Sequence, residues 1–533
     1  MKKLNLFFLI IFAILILTNC KNEAETTDTN QQEEVSKIAF FEDQHRPQFH
    51  FSPKENWMNN PNGMVYYDGE YHLFYQYHPE STVSGPMHWG HAVSKDMVKW
   101  AYLPIALEPD KLGQILSGSV IIDWKNTTGF GSEEKPAMVA MYTYHDMEGE
   151  KLEKHDFETQ GLAYSTDKGR TWTKYEGNPV LPNTESIHNF QDPKVFWHEV
   201  TGKWVMVLAA NDKVKIYNSD DLKSWNFASD FGVEEGSQAR SWECPDLFEL
   251  KAADGKSKWV MLVSTGNKTE ITAPNGGTGT QYFVGDFDGK TFTNSSSKET
   301  TLWLDNGTDN HAGVTWSDVP EKDGRRLFIG WMSNWDYAQE VPTEKWRGAM
   351  TIARTLELEN RGGAYRLITK PVKELQILRG KYVTLDGGVL GISQSVDLEF
   401  SPSQSEVILE FNPERATHPF GVRISNSKSE SVIIAFDKKM NGFTVDRTGA
   451  GKGDFYPQFR GFHTSIRDYE AKTVKFHLII DKSSVELFAD DGRIVMTEIF
   501  FPNEDFNELS LFIENGTVDL IGGKIHELKS IWK

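Results

Sequence analysis

Three short segments, each built around a proline, carry the side chains best suited to chemistry: MNNPNGMVYY with Asn60, NFQDPKVFW with Asp192, and SWECPDLFEL with Glu243. Two carboxylates facing each other across a sugar are what cleavage of a glycosidic bond requires. One protonates the leaving oxygen; the other attacks the anomeric carbon or activates water. Asp192 and Glu243 are the candidates for that pair, and Asn60 brings an amide to the third related position. A neutral amide is a very weak nucleophile and carries no charge to set against a developing oxocarbenium ion. Loss of a catalytic nucleophile costs about 10⁴–10⁶ in rate.

These segments matter only if the fold brings them to one place. Past residue 40, helical periodicity is scarce and short aromatic and β-branched runs recur. Five share a pattern: YHLFYQYHP, AMVAMYTYHD, KWVMVLAAND, KWVMLVSTGN and RLFIGWMSNW. Four are followed by a second unit, a strand, a Ser/Asp/Gly turn and an aromatic: HAVSKDMVKW, GLAYSTDKGRTW, KIYNSDDLKSW and YFVGDFDGKTF. The repeat interval, roughly 55–70 residues, suits four-stranded blades with long loops. An all-β chain is therefore expected, with a five-bladed β-propeller over residues 40–370, a linker at 371–384, and an antiparallel β-sandwich over 385–533. Propeller ligands bind where the innermost strands begin, and the three proline segments are such beginnings.

The N-terminal twenty residues have a basic start, an apolar run from Leu4 to Leu17 and a cysteine at the end, the layout of a bacterial lipoprotein signal peptide. Cys20 is the expected lipidation site, followed by a polar, acidic tether over 21–39. The expected location is thus the bacterial cell envelope, with membrane contact through an N-terminal lipid. The only other cysteine is Cys244, so no disulfide within the mature chain is expected. A net charge of −20 argues against nucleic acid as a partner. Tryptophan is abundant, 16 in all, and indole faces stack well on sugars. No metal cluster, phosphate loop or nucleotide fingerprint occurs, so no cofactor is expected.

With these motifs in view the chain resembles glycoside hydrolase family 32, the levanases, inulinases and invertases that hydrolyse β-fructofuranosides. The resemblance is carried by GPMHWGHAVSKDMVKWAYLPIAL, KGRTWTKYEGNPV, WECPDLFEL, QYFVGDFDG, GWMSNWDYAQEVPTEKWRGAM and, in the C-terminal part, DKSSVELFADDG. It implies that Glu243 is the general acid/base, that Asp192 binds a fructose hydroxyl and stabilises the transition state, and that Asn60 stands at the nucleophile position. It also implies that Asn59, Trp89 and Ser117 line the same pocket, with Trp57 and Trp335 near its rim. The implied partner is a fructan or another fructose-containing saccharide.

The sequence departs from the family pattern in a coordinated way. The nucleophile is Asn60; the family's Arg-Asp-Pro is here Gln191-Asp192-Pro193; Ser84, Leu116, Asn310 and His311 replace aromatics. Losing an anion and its neighbouring cation together keeps a buried pocket balanced, whereas losing one alone is costly. Arg240, three residues before Glu243, is a candidate replacement cation. Three readings are open: a fructan-binding pseudoenzyme, a glycosidase with altered substrate or mechanism that uses Glu243 or Asp192 through water, and an ordinary fructosidase that tolerates Asn60.

Overall fold

The computed structural model describes residues 41–238, 241–266 and 273–532. The expected signal segment with Cys20, the expected tether and Arg240 lie outside the described residues. The chain is all-β: five blades of antiparallel strands stand around one axis, and two further sheets of seven and six strands form the C-terminal sandwich. The inner strands of the blades are Asn56–Tyr67, Gln114–Asp123, Phe190–His198, Trp242–Lys251 and His311–Thr315. The ring closes through a parallel pairing of Trp346–Arg347 with Asn56 and Trp57, beside the first blade.

The repeated sequence units have a local physical cause. In the first four blades the same aspartate of the hairpin turn (Asp96, Asp167, Asp221, Asp288) accepts backbone N–H bonds through Oδ1, for example from Val98 and Lys99, and from Lys290 and Thr291. The residue after it takes a left-handed conformation each time: Met97 at φ 61°, Lys168 at 60°, Leu222 at 63° and Gly289 at 93°. The aspartate supplies the hydrogen bonds that make the left-handed step tolerable for non-glycine residues.

Blade and sandwich strands differ in how they are buried. The second strand of blade two, AMVAMYTYH, is buried at every position, because neighbouring blades cover both of its faces. The apolar core of the propeller is accordingly split into layers, one between each pair of adjacent blades. The sandwich strand SEVILEFN instead alternates along its outer half, with one face on a single core built around Val407, Phe420, Phe443 and Phe476. The stretch expected as a linker is structured. Residues Arg379–Leu385 form a strand paired with Val518–Leu528 in the seven-stranded sheet, so the sandwich takes up part of the 371–384 segment. Short-range patterning missed this because the strand's partner is the last strand of the chain.

Candidate active site

Every inner strand breaks register at the same level, and there two residues oppose one on the second strand. Asn59 and Asn60 face Gln76, Leu116 and Ser117 face Thr143, Asp192 and Pro193 face Leu208, Cys244 and Pro245 face Val263, and Ala312 and Gly313 face Gly330. Such β-bulges turn a side chain out of the pleat and are where proline, which cannot donate to the ladder, is accepted. This accounts for Pro193 and Pro245; Pro61 directly follows the Asn59–Asn60 bulge and pairs with Tyr75. Three of the five bulges open with a non-glycine residue in the left-handed region: Asp192 at φ 63°, Cys244 at 47° and Ala312 at 54°. Strain of this kind gathers at functional sites.

The bulges bring Asn60, Ser117, Asp192, Glu243 and His311 together around the axis. Asp192 is 6% exposed and its Oδ2 accepts the Cys244 backbone N–H at 2.9 Å, while its own N–H donates to Thr143 Oγ1 at 2.9 Å. Burial first, and the nearby charge of Glu243 second, push its carboxyl up to about 7. Glu243 is half-buried and meets His311 Nε2 at 3.2 Å. Neither carboxylate forms an ion pair with a lysine or arginine among the described residues.

Asn60 is 5% exposed. Its Nδ2 donates to Ser117 Oγ at 3.3 Å and to Cys244 Sγ at 3.5 Å, while its Oδ1 is buried without a partner among the described residues. Behind it runs a neutral chain: Trp57 Nε1 donates to Asn59 Oδ1 at 2.8 Å, Asn59 Nδ2 to Gln76 Oε1 at 3.0 Å, and Gln76 Nε2 to Ser117 Oγ at 2.7 Å. This chain fixes the amide's position without supplying charge.

The tryptophans differ from expectation. Trp57 and Trp89 are wholly enclosed. Trp57 is not at the rim but behind the pocket, braced by Trp331 and Trp335. Trp89 does not face the pocket either; its Nε1 donates to Leu116 O at 2.8 Å, which holds the second bulge in place. Their large apolar area is worth more in the core than at a wet surface. Trp335 is half-buried over Trp331, and Gln191 is half-buried with no side-chain hydrogen bond among the described residues. Sequence reasoning missed Gln76, Thr143 and the pairing of His311 with Glu243. The first two were findable as the interior polar residue of an otherwise aromatic or aliphatic second strand, each directly opposite a bulge. Among the described residues no three His, Cys, Asp or Glu side chains converge to hold a metal ion.

Known proteins share this sequence pattern and fold. The N-terminal domain of the family 32 glycosyl hydrolases matches residues 50–371, and the C-terminal domain of the same family matches 374–527. A levanase of Bacillus subtilis is 46% identical over 508 residues, spanning 94% of this chain and 72% of its own. An extracellular exo-inulinase of Aspergillus awamori is 36% identical, spanning 93% of this chain and 96% of its own. A crystal structure of exo-inulinase from that organism superposes with a TM-score of 0.83 at 32% identity, covering 92% of this chain and all of its own. A fructofuranosidase of Schwanniomyces occidentalis complexed with fructosylnystose superposes at 0.78 with 31% identity, covering 91% and 98%.

Proposed function

The chain belongs to family 32 of the glycosyl hydrolases, and on that premise we propose that it is an exported protein that recognises β-fructofuranosides in the axial pocket without the family's retaining mechanism. The observation that carries the proposal is Asn60. It occupies the place where the family motif has its nucleophile, and its amide is tied by Nδ2 to Ser117 and Cys244. An amide so held offers no anion to attack an anomeric carbon or to support an oxocarbenium ion. The remaining pair keeps its binding chemistry. Asp192, balanced between its protonated and ionised forms near neutral pH, can either donate to or accept from a sugar hydroxyl. The substrate class comes from the relatives: a levanase, an exo-inulinase, and a fructofuranosidase bound to fructosylnystose. Export follows the extracellular relative, with acylation of Cys20 as the anchor; a mature N-terminus found by mass spectrometry beyond Cys20 would overturn the anchor.

A second reading is favoured by one contact. His311 on Glu243 at 3.2 Å gives that carboxyl a proton partner, so Glu243 with Asp192 could direct a water in place of a covalent nucleophile. Fructose release from sucrose, levan and inulin, with calorimetric binding on the same samples, separates the two. The proposal expects binding with no measurable release. Asn60→Asp should restore weak release, and adding Gln191→Arg should raise it by more than the two single effects multiplied, because each charge makes the other tolerable. Wild-type turnover near an ordinary ~10 s⁻¹ sinks the pseudoenzyme reading. Undiminished fructan binding by Asp192→Ala removes that residue from the site.

A further inference from the structure

The inner strands begin at the axial pocket and run on to the opposite mouth of the channel. Between the two ends lies a polar layer that links four blades. Lys194 pairs with Asp246 at 3.2 Å and donates to Thr315 O at 2.5 Å; Thr315 N and Oγ1 donate to the same carboxylate at 2.7 and 2.8 Å; Ser119 Oγ donates to Pro193 O at 2.9 Å. On the far side of this layer is a cavity of about 530 Å³, a size typical of small-molecule sites. The sugar chemistry described above makes no use of it.

Its lining has features that packing alone does not explain. Trp124 is 55% exposed yet firmly held, its Nε1 donating to Asp318 Oδ1 at 2.8 Å and its ring meeting the edge of Tyr67 at 5.8 Å. Trp197, Trp204 and Trp259 add three more indoles to the wall. Arg326 makes no side-chain hydrogen bond or ion pair among the described residues; its guanidinium rests 4.9 Å from the centre of the Phe248 ring. Asp246 is fully buried, and among the described residues neither its Oδ1 nor the buried Trp197 Nε1 has a partner. Most charges of the lining are compensated: Lys194 faces Asp246, and Lys125 lies 3.8 Å from Glu199 and over the Trp197 ring at 4.8 Å. With Lys125, Lys194 and Arg326 set against Glu199, Asp246, Glu249 and Asp318, the lining is close to neutral and favours neither an anion nor a cation strongly. Indole faces combined with the unpaired Arg326 guanidinium match a neutral polyol.

We propose that this far mouth is a second saccharide site, which takes one or two neutral sugar units with Trp124 as the stacking platform and Arg326 as a hydroxyl donor. It is separate from the axial pocket and does not depend on the reading of Asn60. The test is calorimetry with sucrose, levan and inulin tetrasaccharides and maltotetraose, using the full-length protein, Asp192→Ala, Trp124→Ala, Arg326→Gln, and the last two combined with Asp192→Ala. The expected result is one remaining site per chain in Asp192→Ala for at least one probe, weakened about tenfold or more by Trp124→Ala and also by Arg326→Gln. Unchanged thermal midpoints verify that both variants fold. A single wild-type site that Asp192→Ala abolishes overturns the second site and leaves the axial reading standing. A single site that Trp124→Ala abolishes and Asp192→Ala spares supports the second site and overturns axial binding. Binding to Asp192→Ala that neither Trp124→Ala nor Arg326→Gln weakens overturns the assignment.

Discussion

Two buried polar regions of this molecule handle charge in opposite ways. Along the seam between propeller and sandwich, carboxylates are met by cations. Arg354 of the propeller, fully buried, donates to Asp305 at 2.9 Å and through Nε to sandwich Glu486 at 3.0 Å. Arg447 of the sandwich reaches back to propeller Asp309 at 2.7 Å and lies 3.1 Å from Glu498. His50 sits between Asp481 and Glu486 at 2.8 and 2.9 Å. Burial works against ionisation of Glu486, yet Arg354 and His50 hold it below its ordinary value. In the axial pocket the described residues give Asp192 no such partner and Glu243 only the His311 imidazole, and burial drives Asp192 the other way. The seam uses its charges to fix two domains together; among the described residues the pocket leaves Asp192 without a cation. The regions also touch. Arg447 clamps Asp309, two residues before the His311 that meets Glu243, so the sandwich helps to position the site.

The contrast predicts opposite signs for substitutions in the two places. Arg447→Met leaves Asp309 and Glu498 buried without their shared arginine and should cost about 3–5 kcal/mol in denaturant unfolding. A loss below 1 kcal/mol would show that the seam does not depend on its charges. Asp192→Asn should do the reverse. Because the folded carboxyl is raised to about 7, its protonated form is the favoured one in the native state. Its contribution is complete below the unfolded value near 3.8 and is lost as pH rises to about 7. The variant should therefore match wild type at pH 3.5 and be more stable by about 2–4 kcal/mol at pH 8.

His50 gives the seam its own pH window. Burial alone would lower this imidazole, but hydrogen bonds to Asp481 and Glu486 raise it to about 9. Its stabilisation is complete below the ordinary value of 6.5 and disappears as pH climbs through about 9. His50→Gln should cost about 1–3 kcal/mol at pH 6, and the difference should shrink steadily towards pH 9.5. A pH-independent difference would assign His50 a packing role only. The smallest effect is expected in the neutral chain behind Asn60. Ser117→Ala removes an acceptor from Gln76 and Asn60 and should cost about 1–2 kcal/mol with no pH dependence between 5 and 9.

Local sequence pattern was enough for the parts of this protein that are built from neighbours. The turn aspartates, the aromatic that opens each next strand and the doubly buried second strands leave a visible repeat, because each depends on residues within one hairpin. That repeat carried the all-β reading, the blade number and the change to a sandwich. The proline segments marked three of the five bulges for the same reason: a proline in or directly after the bulge leaves its trace in the letters, whereas the bulges at Leu116 and Ala312 have none. Decisions made across the axis or the seam left no such trace. Glu243 and His311 are 68 positions apart, and Arg447 and Asp309 are 138 apart. Whether Trp57 and Trp89 face a ligand or the core was likewise settled by which blade packs on which side. A residue type states what chemistry a side chain can do; only the closing of the ring, which sets burial and brings distant strands to one level, states which partners it does it with.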